Sequence, residues 1–279
     1  MRRKRTLKTR SNAINQLPWQ KIVNSWPPFE ILTEPQIIKI VDAALTILET
    51  QGFRFLHNKS RHILEKAGVN VPNKNGMTIL DREFVKETIS QAPKSFTLSA
   101  INPNHSLEIG GNNIVFASVG GPAFVHDLDQ GRRPGTYKDL CNYFRIIQQL
   151  NIIHQEGGGC FEPMDLPPES RHLDLYFAQL TLLDKNAQAY PLGHDRTHDC
   201  IEMTCIAMNK TREELSKNPA ILAIINTNSP MQLDIPMSEA IIELARNNQV
   251  CCITPFTLAG SMSPITLAGT LAQQTAEIL

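Results

Sequence analysis

The sequence predicts an α/β protein whose main part is a TIM-type (β/α)8 barrel, and three observations support that prediction. Strand patterns alternate with helical patterns five times over residues 113–279, as in chains that build parallel sheets with right-handed crossovers. Each predicted strand ends in a glycine-rich or polar break, at the end of the strand where barrel active sites lie. Neither a dinucleotide-binding glycine fingerprint nor a P-loop motif follows any strand, which disfavours the competing doubly wound sheet.

Residues 1–30 are predicted to be a basic, disordered tail. Six basic residues cluster within the first ten positions, whereas the first acidic residue is Glu30. An organelle transit segment is the alternative, although no amphipathic repeat supports it. The six basic residues are Arg2, Arg3, Lys4, Arg5, Lys8 and Arg10.

Residues 31–112 are predicted to form a small α+β region without an active-site motif of its own. Thr33 and Pro35 mark the start of a first helix, and Gly52 marks its end. The other predicted elements are helices over 60–67 and 81–91, a hairpin around Asn75 and Gly76, and strands over 96–100 and 106–109. The apolar stripe expected to bury the first helix is Ile37, Ile38, Val41, Ala44, Leu45 and Leu48.

Residues 113–279 are predicted to supply the barrel units. The predicted strands are 114–119, which is expected to be buried, 152–156, 188–192, 221–226 and 250–254. The helices that follow them are 136–150, 169–183, 196–208, 237–247 and one that starts at 264. Five units cannot close an eight-unit barrel, and the last helical pattern reaches Leu279 without a cap. We therefore expect either three further units or an exposed sheet edge.

Charge and cysteine usage exclude several classes of partner. Lys plus Arg and Asp plus Glu both number 27, so no overall field favours nucleic acid or a membrane surface. No segment approaches the roughly 20 consecutive apolar residues that a membrane span needs. The six cysteines form no C-x-x-C pair, so free thiols in a reducing cytoplasm are the expected state. Association into a homo-oligomer is left open.

Four motifs occur in the order in which one known family carries them. They are Gly-Arg-Arg-Pro-Gly-Thr at 131–136, Gly-Gly-Gly at 157–159 with Glu-Pro-Met-Asp at 162–165, Arg-His-Leu-Asp at 171–174, and Ser-Pro-Ile-Thr-Leu-Ala-Gly at 263–269. With these motifs, residues 37–279 resemble the trimethylamine and glycine betaine methyltransferase family. The resemblance implies an α/β barrel that moves a methyl group from a methylated amine to the Co(I) of a separate corrinoid protein. It implies no directly bound cofactor and a place in methylamine catabolism or methanogenesis-type one-carbon metabolism.

The same resemblance bears on length and substrate. Members of the family are much longer than this chain, in agreement with the missing barrel units. Trimethylamine-specific members carry pyrrolysine on a later strand, whereas glycine betaine members have an ordinary residue there. The chain ends before that position, so its amine substrate is not readable from the sequence.

The stretch around Glu156 is the centre of the predicted site. Three glycines after a strand suggest a loop shaped around a ligand, with a tight turn that binds nothing as the alternative. The chemistry implied by the resemblance needs a pocket that holds a cation with carboxylates and aromatic faces. Glu156 is the catalytic candidate, and a structural ion pair is its alternative. His154 is a second catalytic candidate, and a hydrogen-bonded core histidine is its alternative.

Other strand ends supply candidates for substrate and partner binding. The aromatic candidates are Phe161, Tyr190 and Phe256. A packed tyrosine with a satisfied hydroxyl is the alternative for Tyr190. A substrate carboxylate, such as that of glycine betaine, needs donors, and the candidates are Asn228, Ser229 and the backbone amides of Gly157, Gly158 and Gly159. The candidates for contact with the corrinoid protein, or for simple exposure, are Arg132 and Arg133.

A metal-dependent barrel hydrolase is the second functional hypothesis. His194 and His198 are four residues apart, a spacing that puts both imidazoles on one helix face. The first barrel strand lacks the paired histidines that such hydrolases usually carry, so no metal site is predicted. A third hypothesis is an inactive truncated product whose only activity is association.

Overall fold

The computed structural model describes residues 14–72, 76–121 and 124–279, and within these ranges the protein is a mixed α/β structure. The helices are α1 (Glu34–Thr50), α2 (Asn58–Lys66), α3 (Arg82–Ser90), α4 (Tyr137–Gln149), α5 (Arg171–Leu182), α6 (Gly193–Met208), α7 (Arg212–Lys217), α8 (Ile235–Arg246) and α9 (Leu267–Ile278). The strands are β1 (Ile22–Val23), β2 (Arg54–Phe55), β3 (Ser95–Leu98), β4 (Leu107–Gly110), β5 (Asn113–Ile114), β6 (Val125–Asp127), β7 (Gly131–Arg133), β8 (Ala187–Gln188), β9 (Ile221–Ile225), β10 (Gln232–Leu233) and β11 (Val250–Ile253).

Parallel pairing forms the centre of the fold. β9 pairs in parallel with β8 on one side and with β11 on the other. Two single parallel bridges continue this arrangement, from Asn186 to Gln155 and from Gln155 to Ala117. Five consecutive segments therefore lie side by side in sequence order, as the alternation of strands and helices predicts. The α/β class is confirmed, although across the described ranges the arc of strands stays open and does not close into a barrel.

The first two predicted barrel strands are much shorter than expected. Residues 114–119 and 152–156 join the parallel arrangement only through the two single bridges. Ile114 instead pairs antiparallel with β1, and Phe116 and Val119 are 43% and 63% exposed. The predicted burial of 114–119 is therefore wrong. This segment lies at the edge of the arc, and within the described chain no parallel strand covers its outer side.

The predicted helices all occur, and capping side chains explain where several of them begin. Asp81 accepts hydrogen bonds from two backbone amides at the start of α3, and Thr136 forms a capping box with Asp139 at the start of α4. The short helix α7 and the antiparallel hairpin of β6 and β7 are not among the predicted elements. The predicted turn at Asn75 and Gly76 lies partly outside the described residues.

The expected apolar stripe of α1 is only half buried. Ala44, Leu45 and Leu48 lie in the core, whereas Ile37 and Ile38 are 49% and 58% exposed. The helix packs beside α9 and α3. Burial of the complete stripe is therefore a wrong prediction, since these neighbours cover only the second half of its apolar face.

Two apolar clusters hold the helices on the parallel arrangement. The larger cluster combines β9 with residues of α1, α6 and α8, and the smaller one lies between α4 and α5. Representative members of the larger cluster are Leu45, Leu48, Ile201, Ile221, Ile225 and Leu244. Representative members of the smaller cluster are Leu140, Phe144, Phe161 and Leu175.

Part of the segment before α1, from Gln16 to Asn24, contacts the body of the protein, and the six basic residues of the first ten positions lie outside the described ranges. β1 pairs with β5, and the ring of Trp19 lies 4.8 Å from the ring of His105 and 5.7 Å from that of His154. None of the described helices is both long enough and apolar enough to cross a membrane.

Glu277 of α9 fastens the loop that follows β9. Its buried carboxylate accepts hydrogen bonds from the hydroxyl of Thr227 at 2.6 Å, the hydroxyl of Ser229 at 2.7 Å and the amide of Met231 at 3.0 Å. Gln273, one turn earlier on α9, donates to the same carboxylate at 2.9 Å. One side chain therefore satisfies four donors and sets the path of the loop.

We expect Glu277→Ala to lower the free energy of unfolding by at least about 2–3 kcal/mol, because it leaves several buried donors without an acceptor. Urea denaturation measures this effect. Gln274→Ala, on the same helix, is the matched control and is expected to change stability by less than about 0.5 kcal/mol. Equal effects of the two substitutions would contradict the assignment.

Candidate functional site

The candidate site lies at the carboxyl end of the second parallel segment, where Glu156 leads into Gly157, Gly158 and Gly159. We call these three residues the glycine loop. The amide of Gly157 donates to the hydroxyl of Ser118 at 2.9 Å, and the carbonyl of Gly159 accepts from the amide of Gly121 at 2.8 Å. The loop is thereby joined to the neighbouring segment of the arc.

Close contact with protein atoms explains why this loop consists of glycine. A Cβ atom on Gly157 would lie 1.8 Å from the backbone carbonyl oxygen of Ser118. A Cβ atom on Gly158 would lie 2.6 Å from the side-chain amide nitrogen of Gln188. Gly158 and Gly159 also have φ values of 99° and 81°, which side chains with a Cβ rarely adopt. Other atoms therefore do approach the backbone of the glycine loop closely, as expected from the sequence, and these atoms belong to neighbouring segments of the protein.

Glu156 folds back onto the loop and is fully buried. Its two carboxylate oxygens accept hydrogen bonds from the amides of Gly158 and Gly159, both at 2.8 Å. Burial raises the pKa of Glu156 to about 7, and the hydrogen bonds from the loop amides oppose that shift without cancelling it. The carboxyl group can therefore change its charge near neutral pH.

Tyr190 lies on the other side of the loop. Its ring lies 3.1 Å from the position of a Cβ atom on Gly159, and its hydroxyl accepts a hydrogen bond from Gln179 at 3.0 Å. Burial, followed by the negative charge of Glu156, raises the pKa of Tyr190 well above its usual value. The hydroxyl of Tyr190 is hydrogen-bonded within the protein, as expected for a packed core tyrosine. The ring nevertheless lies beside the glycine loop.

Two glutamines at this site are absent from the predicted set. Gln179 of α5 accepts from the amide of Gln188 at 3.0 Å and donates to its carbonyl at 3.2 Å, in addition to its bond to Tyr190. The side chain of Gln188 lies against Gly158 and is almost fully buried. A buried glutamine on an apolar helix face, such as Gln179, is the sequence signal that could have indicated this contact.

The other aromatic candidates lie elsewhere. Phe161 is a member of the smaller core cluster and packs its ring against Gly135. Phe256, just after β11, is 60% exposed. Of the three predicted aromatic side chains, Tyr190 is the one that the described contacts bring to the glycine loop.

His154 points away from the loop. Its Nδ1 atom accepts a hydrogen bond from the amide of Phe116 at 3.0 Å, and its Nε2 atom lies 3.2 Å from the carbonyl oxygen of Gln20. Burial lowers the pKa of His154, which favours the neutral ring that this arrangement requires. These are the contacts of a hydrogen-bonded core histidine, and a catalytic role for His154 stays a prediction.

The predicted carboxylate-binding donors are already engaged. Asn228 donates to Asp234 at 3.2 Å, and Ser229 donates to Glu277 at 2.7 Å. Both residues line a cleft of about 1070 Å³ between α1, α9 and the loop after β9, apart from the glycine loop. The three amides of the glycine loop also donate within the protein, to Ser118 and Glu156.

The two predicted partner-binding arginines have different surroundings. The guanidinium of Arg132 lies 3.6 Å from the centre of the Phe124 ring and is exposed. Arg133 bonds to Asp139 at 2.6 Å and to Asp127 at 3.0 Å, and its hydrogen bonds hold the pKa of Asp139 well below the usual range. Arg133 therefore joins the β6–β7 hairpin to the start of α4, and Arg132 is the residue left available at the surface.

A histidine cluster lies between α6 and α8. His194 and His198 stack with ring centroids 5.5 Å apart, so they do share a helix face as their spacing predicts. Glu243 of α8, which no local sequence pattern links to the two histidines, lies 3.5 Å from His194 and 3.3 Å from His198. Burial raises the pKa of Glu243, but its contacts with His198, His194 and Arg212 outweigh burial and lower the pKa overall.

We expect Gly157→Ala to lower the free energy of unfolding by about 2 kcal/mol or more, because the new methyl group would overlap the backbone of Ser118. Gly157 does not have a positive φ, so this cost comes from packing alone. Gly68→Ala is the control, because a Cβ atom there meets open space and only the positive φ resists it, at a cost of about 1 kcal/mol. Thermal denaturation measures the stability of both variants. A lower melting temperature for Gly68→Ala than for Gly157→Ala would contradict the packing explanation.

Comparison with known proteins identifies the family. All of residues 1–279 match the family model described as trimethylamine methyltransferase. The chain is 34% identical over 253 residues to a glycine betaine methyltransferase of Desulfitobacterium hafniense strain Y51, which covers 91% of this chain and 52% of that protein. It is 22% identical over 253 residues to a trimethylamine methyltransferase of Desulfitobacterium hafniense strain DSM 10664 / DCB-2, over 88% of this chain and 50% of that protein. It is 21% identical over 262 residues to a trimethylamine methyltransferase of Methanosarcina barkeri, over 89% and 51% of the two chains.

The chain thus spans about half the length of the curated relatives it matches. The match to the family model nevertheless extends over every residue of the chain. On that ground, this chain belongs to the trimethylamine methyltransferase family.

Proposed function

We propose that this protein moves a methyl group from glycine betaine, or from a closely related methylated amine, to the Co(I) of a corrinoid carried by a separate protein. Membership of a methyltransferase family supports the reaction class over the hydrolase hypothesis. The identity of 34% to a glycine betaine methyltransferase, against 22% and 21% to two trimethylamine methyltransferases, supports the substrate. We further propose a (β/α)8 barrel as the complete fold, in line with the sequential order of the five parallel segments.

One structural arrangement carries the proposal: the fully buried carboxyl group of Glu156 lies against the amides of Gly158 and Gly159, and the ring of Tyr190 contacts the same loop. A methylated ammonium ion cannot donate a hydrogen bond, so a protein holds it with negative charge and aromatic faces. Each contact of the cation with a ring is worth roughly 0.5–2 kcal/mol. Glu156 lies beneath the glycine loop. If the loop moved aside, a bound cation could contact both the carboxylate of Glu156 and the ring of Tyr190.

The carboxylate of glycine betaine needs a donor, and Gln188 is the residue we assign to it. Its side-chain amide is almost fully buried against Gly158. Its backbone is fixed on both sides by Gln179. A neutral donor in this position would orient the substrate without placing a second positive charge beside the ammonium group.

In this reaction the protein positions the substrate and forms no covalent bond to it. The carbon–nitrogen bond of the substrate breaks as a carbon–cobalt bond forms; the nitrogen keeps the electron pair and leaves as a neutral amine, and cobalt supplies two electrons. The groups at the glycine loop bind the cation, orient it and exclude water from it. Arg132, exposed on the β6–β7 hairpin, is the group we assign to contact with the corrinoid protein.

Binding should depend on pH, with a sign that follows from Glu156. Its pKa in the folded protein is raised from 4.5 to about 7, so the carboxyl is protonated below pH 7 and must lose its proton to attract a cation. Glycine betaine itself does not titrate near neutral pH. We therefore expect its affinity to rise by up to about tenfold per pH unit below pH 7 and to level off above it.

Isothermal titration calorimetry between pH 6 and pH 8 measures this dependence. We expect Glu156→Gln to weaken binding and to remove the pH dependence, and we expect Glu169→Gln, an exposed control, to preserve both. Affinity that is independent of pH in the unmodified protein would contradict the assignment of Glu156.

The reaction itself is tested by the absorption spectrum of the corrinoid. Incubation of the purified protein with a Co(I) corrinoid protein and glycine betaine is expected to convert the Co(I) spectrum to that of the methylated form, faster than with trimethylamine. No spectral change with any methylated amine would contradict the proposed function and favour an inactive chain.

A further inference from the structure

We propose that His194, His198 and Glu243 form a binding site for a divalent transition metal ion such as Zn²⁺, between α6 and α8. The site is separate from the glycine loop and does not depend on the proposed methyl transfer. The two histidines are recognisable from their spacing, whereas the packing of α6 against α8 is what places Glu243 beside them.

The distances between the ligand atoms suit a tetrahedral ion. The Nε2 atom of His194 lies 3.5 Å from one carboxylate oxygen of Glu243, and the Nδ1 atom of His198 lies 3.3 Å from the other. All three residues can offer ligand atoms within 4.8 Å of one another. Zinc lies 2.0–2.2 Å from such nitrogen and oxygen atoms, which places two ligands of a tetrahedral ion about 3.3 Å apart. Side-chain movements that bring the three ligand atoms from within 4.8 Å to about 3.3 Å of one another would close the site around an ion.

A second carboxylate prepares one of the imidazoles for this role. The Nδ1 atom of His194 lies 2.9 Å from a carboxylate oxygen of Asp195, so Nδ1–H can donate to Asp195 while Nε2 faces Glu243. Metal-binding histidines commonly donate their other ring N–H to a carboxylate in this way. The pair fixes the tautomer that leaves a lone pair for the metal.

One of the three proposed ligands is buried and the other two are partly exposed, so an ion could reach the site from solvent. The side chain of Glu243 is only 6% exposed, whereas those of His194 and His198 are 50% and 42% exposed. The buried carboxylate supplies negative charge from beneath, and the two rings leave the outer side open. A water molecule can enter there as the fourth ligand.

Arg212 of α7 is the group that competes with the metal. Its guanidinium lies 3.4 Å from Glu243 and 3.0 Å from His198, and it also bonds to Glu202. Its side chain is 35% exposed, and Glu202 can keep it paired when a metal takes its place at Glu243. Removing Arg212 should therefore favour metal binding, whereas removing either histidine should oppose it.

The ion would join two successive units of the fold. α6 follows β8, and α8 comes after β9 and the short strand β10; β8 and β9 are neighbours in the parallel arrangement. A metal shared by the two helices adds a cross-link that the unfolded chain lacks, so it should raise the thermal midpoint of the protein.

Titration with Co²⁺, a spectroscopic substitute for Zn²⁺, tests the site. We expect saturable binding of one ion per chain, with visible absorption bands typical of nitrogen and oxygen ligands and without the intense near-ultraviolet band of thiolate ligands. His194→Ala and His198→Ala should each weaken binding by at least the roughly 10–100-fold that loss of an outer-shell partner causes. Arg212→Ala should bind at least as tightly as the unmodified protein.

His62→Ala is the matched control, because His62 is also an exposed helical histidine beside a glutamate, Glu65. It should leave Co²⁺ affinity unchanged, and Zn²⁺ should raise the melting temperature of this variant as it does for the unmodified protein. Absence of saturable binding, binding that survives His194→Ala, or a thiolate band would each overturn the proposal and leave the cluster as an ion-pair network around Arg212.

Discussion

The burial of Glu156 against the amides of Gly158 and Gly159 is the interaction on which the carboxyl end of the parallel arrangement depends. A carboxylate without water is costly, and two backbone donors at 2.8 Å offset only part of that cost. The remainder appears as the raised pKa of the group. The chain must turn back on itself within three residues to offer both amides, and the positive φ values of Gly158 and Gly159 are the consequence.

The neighbouring segments are built around that turn. Ser118 approaches Gly157 so closely that no side chain fits between them. On the other side of the loop, the side chain of Gln188 contacts Gly158 and the ring of Tyr190 contacts Gly159. Gln179 of α5 then holds Gln188 and Tyr190 through three hydrogen bonds. A change of charge at Glu156 therefore acts directly on the loop amides that donate to it, which links its proton to the loop that a cation must displace to reach the carboxylate.

The sequence predicts the helices of this fold well and the strands at its edge poorly. Helix starts depend on local chemistry, such as the acceptor that Asp81 offers to the amides of Glu83 and Phe84, and that chemistry is readable from a few residues. Burial of Phe116 depends on which strand lies beyond it, which no local pattern contains. The exposed first half of the α1 stripe, with Ile37 and Ile38, has the same origin.

The candidate site follows the same division. Local signals indicate Glu156 and the glycine loop as candidates, because glycines and a carboxylate follow a strand, and the structure places the ring of Tyr190 beside that loop. The roles of Gln179 and Glu243 could not, since each is a polar residue on a helix whose partner lies on another element. Phe161 was expected at the site on its position alone, and the space against Gly135 draws its ring into the core instead.

The titration of Glu156 can be followed by ¹³C NMR in protein labelled at the glutamate side-chain carboxyl carbons. We expect one resonance with a midpoint near pH 7 that is absent from Glu156→Gln. If every glutamate resonance instead titrated near 4.5, Glu156 would be an ordinary hydrated carboxylate, and the cation site proposed around it would be wrong.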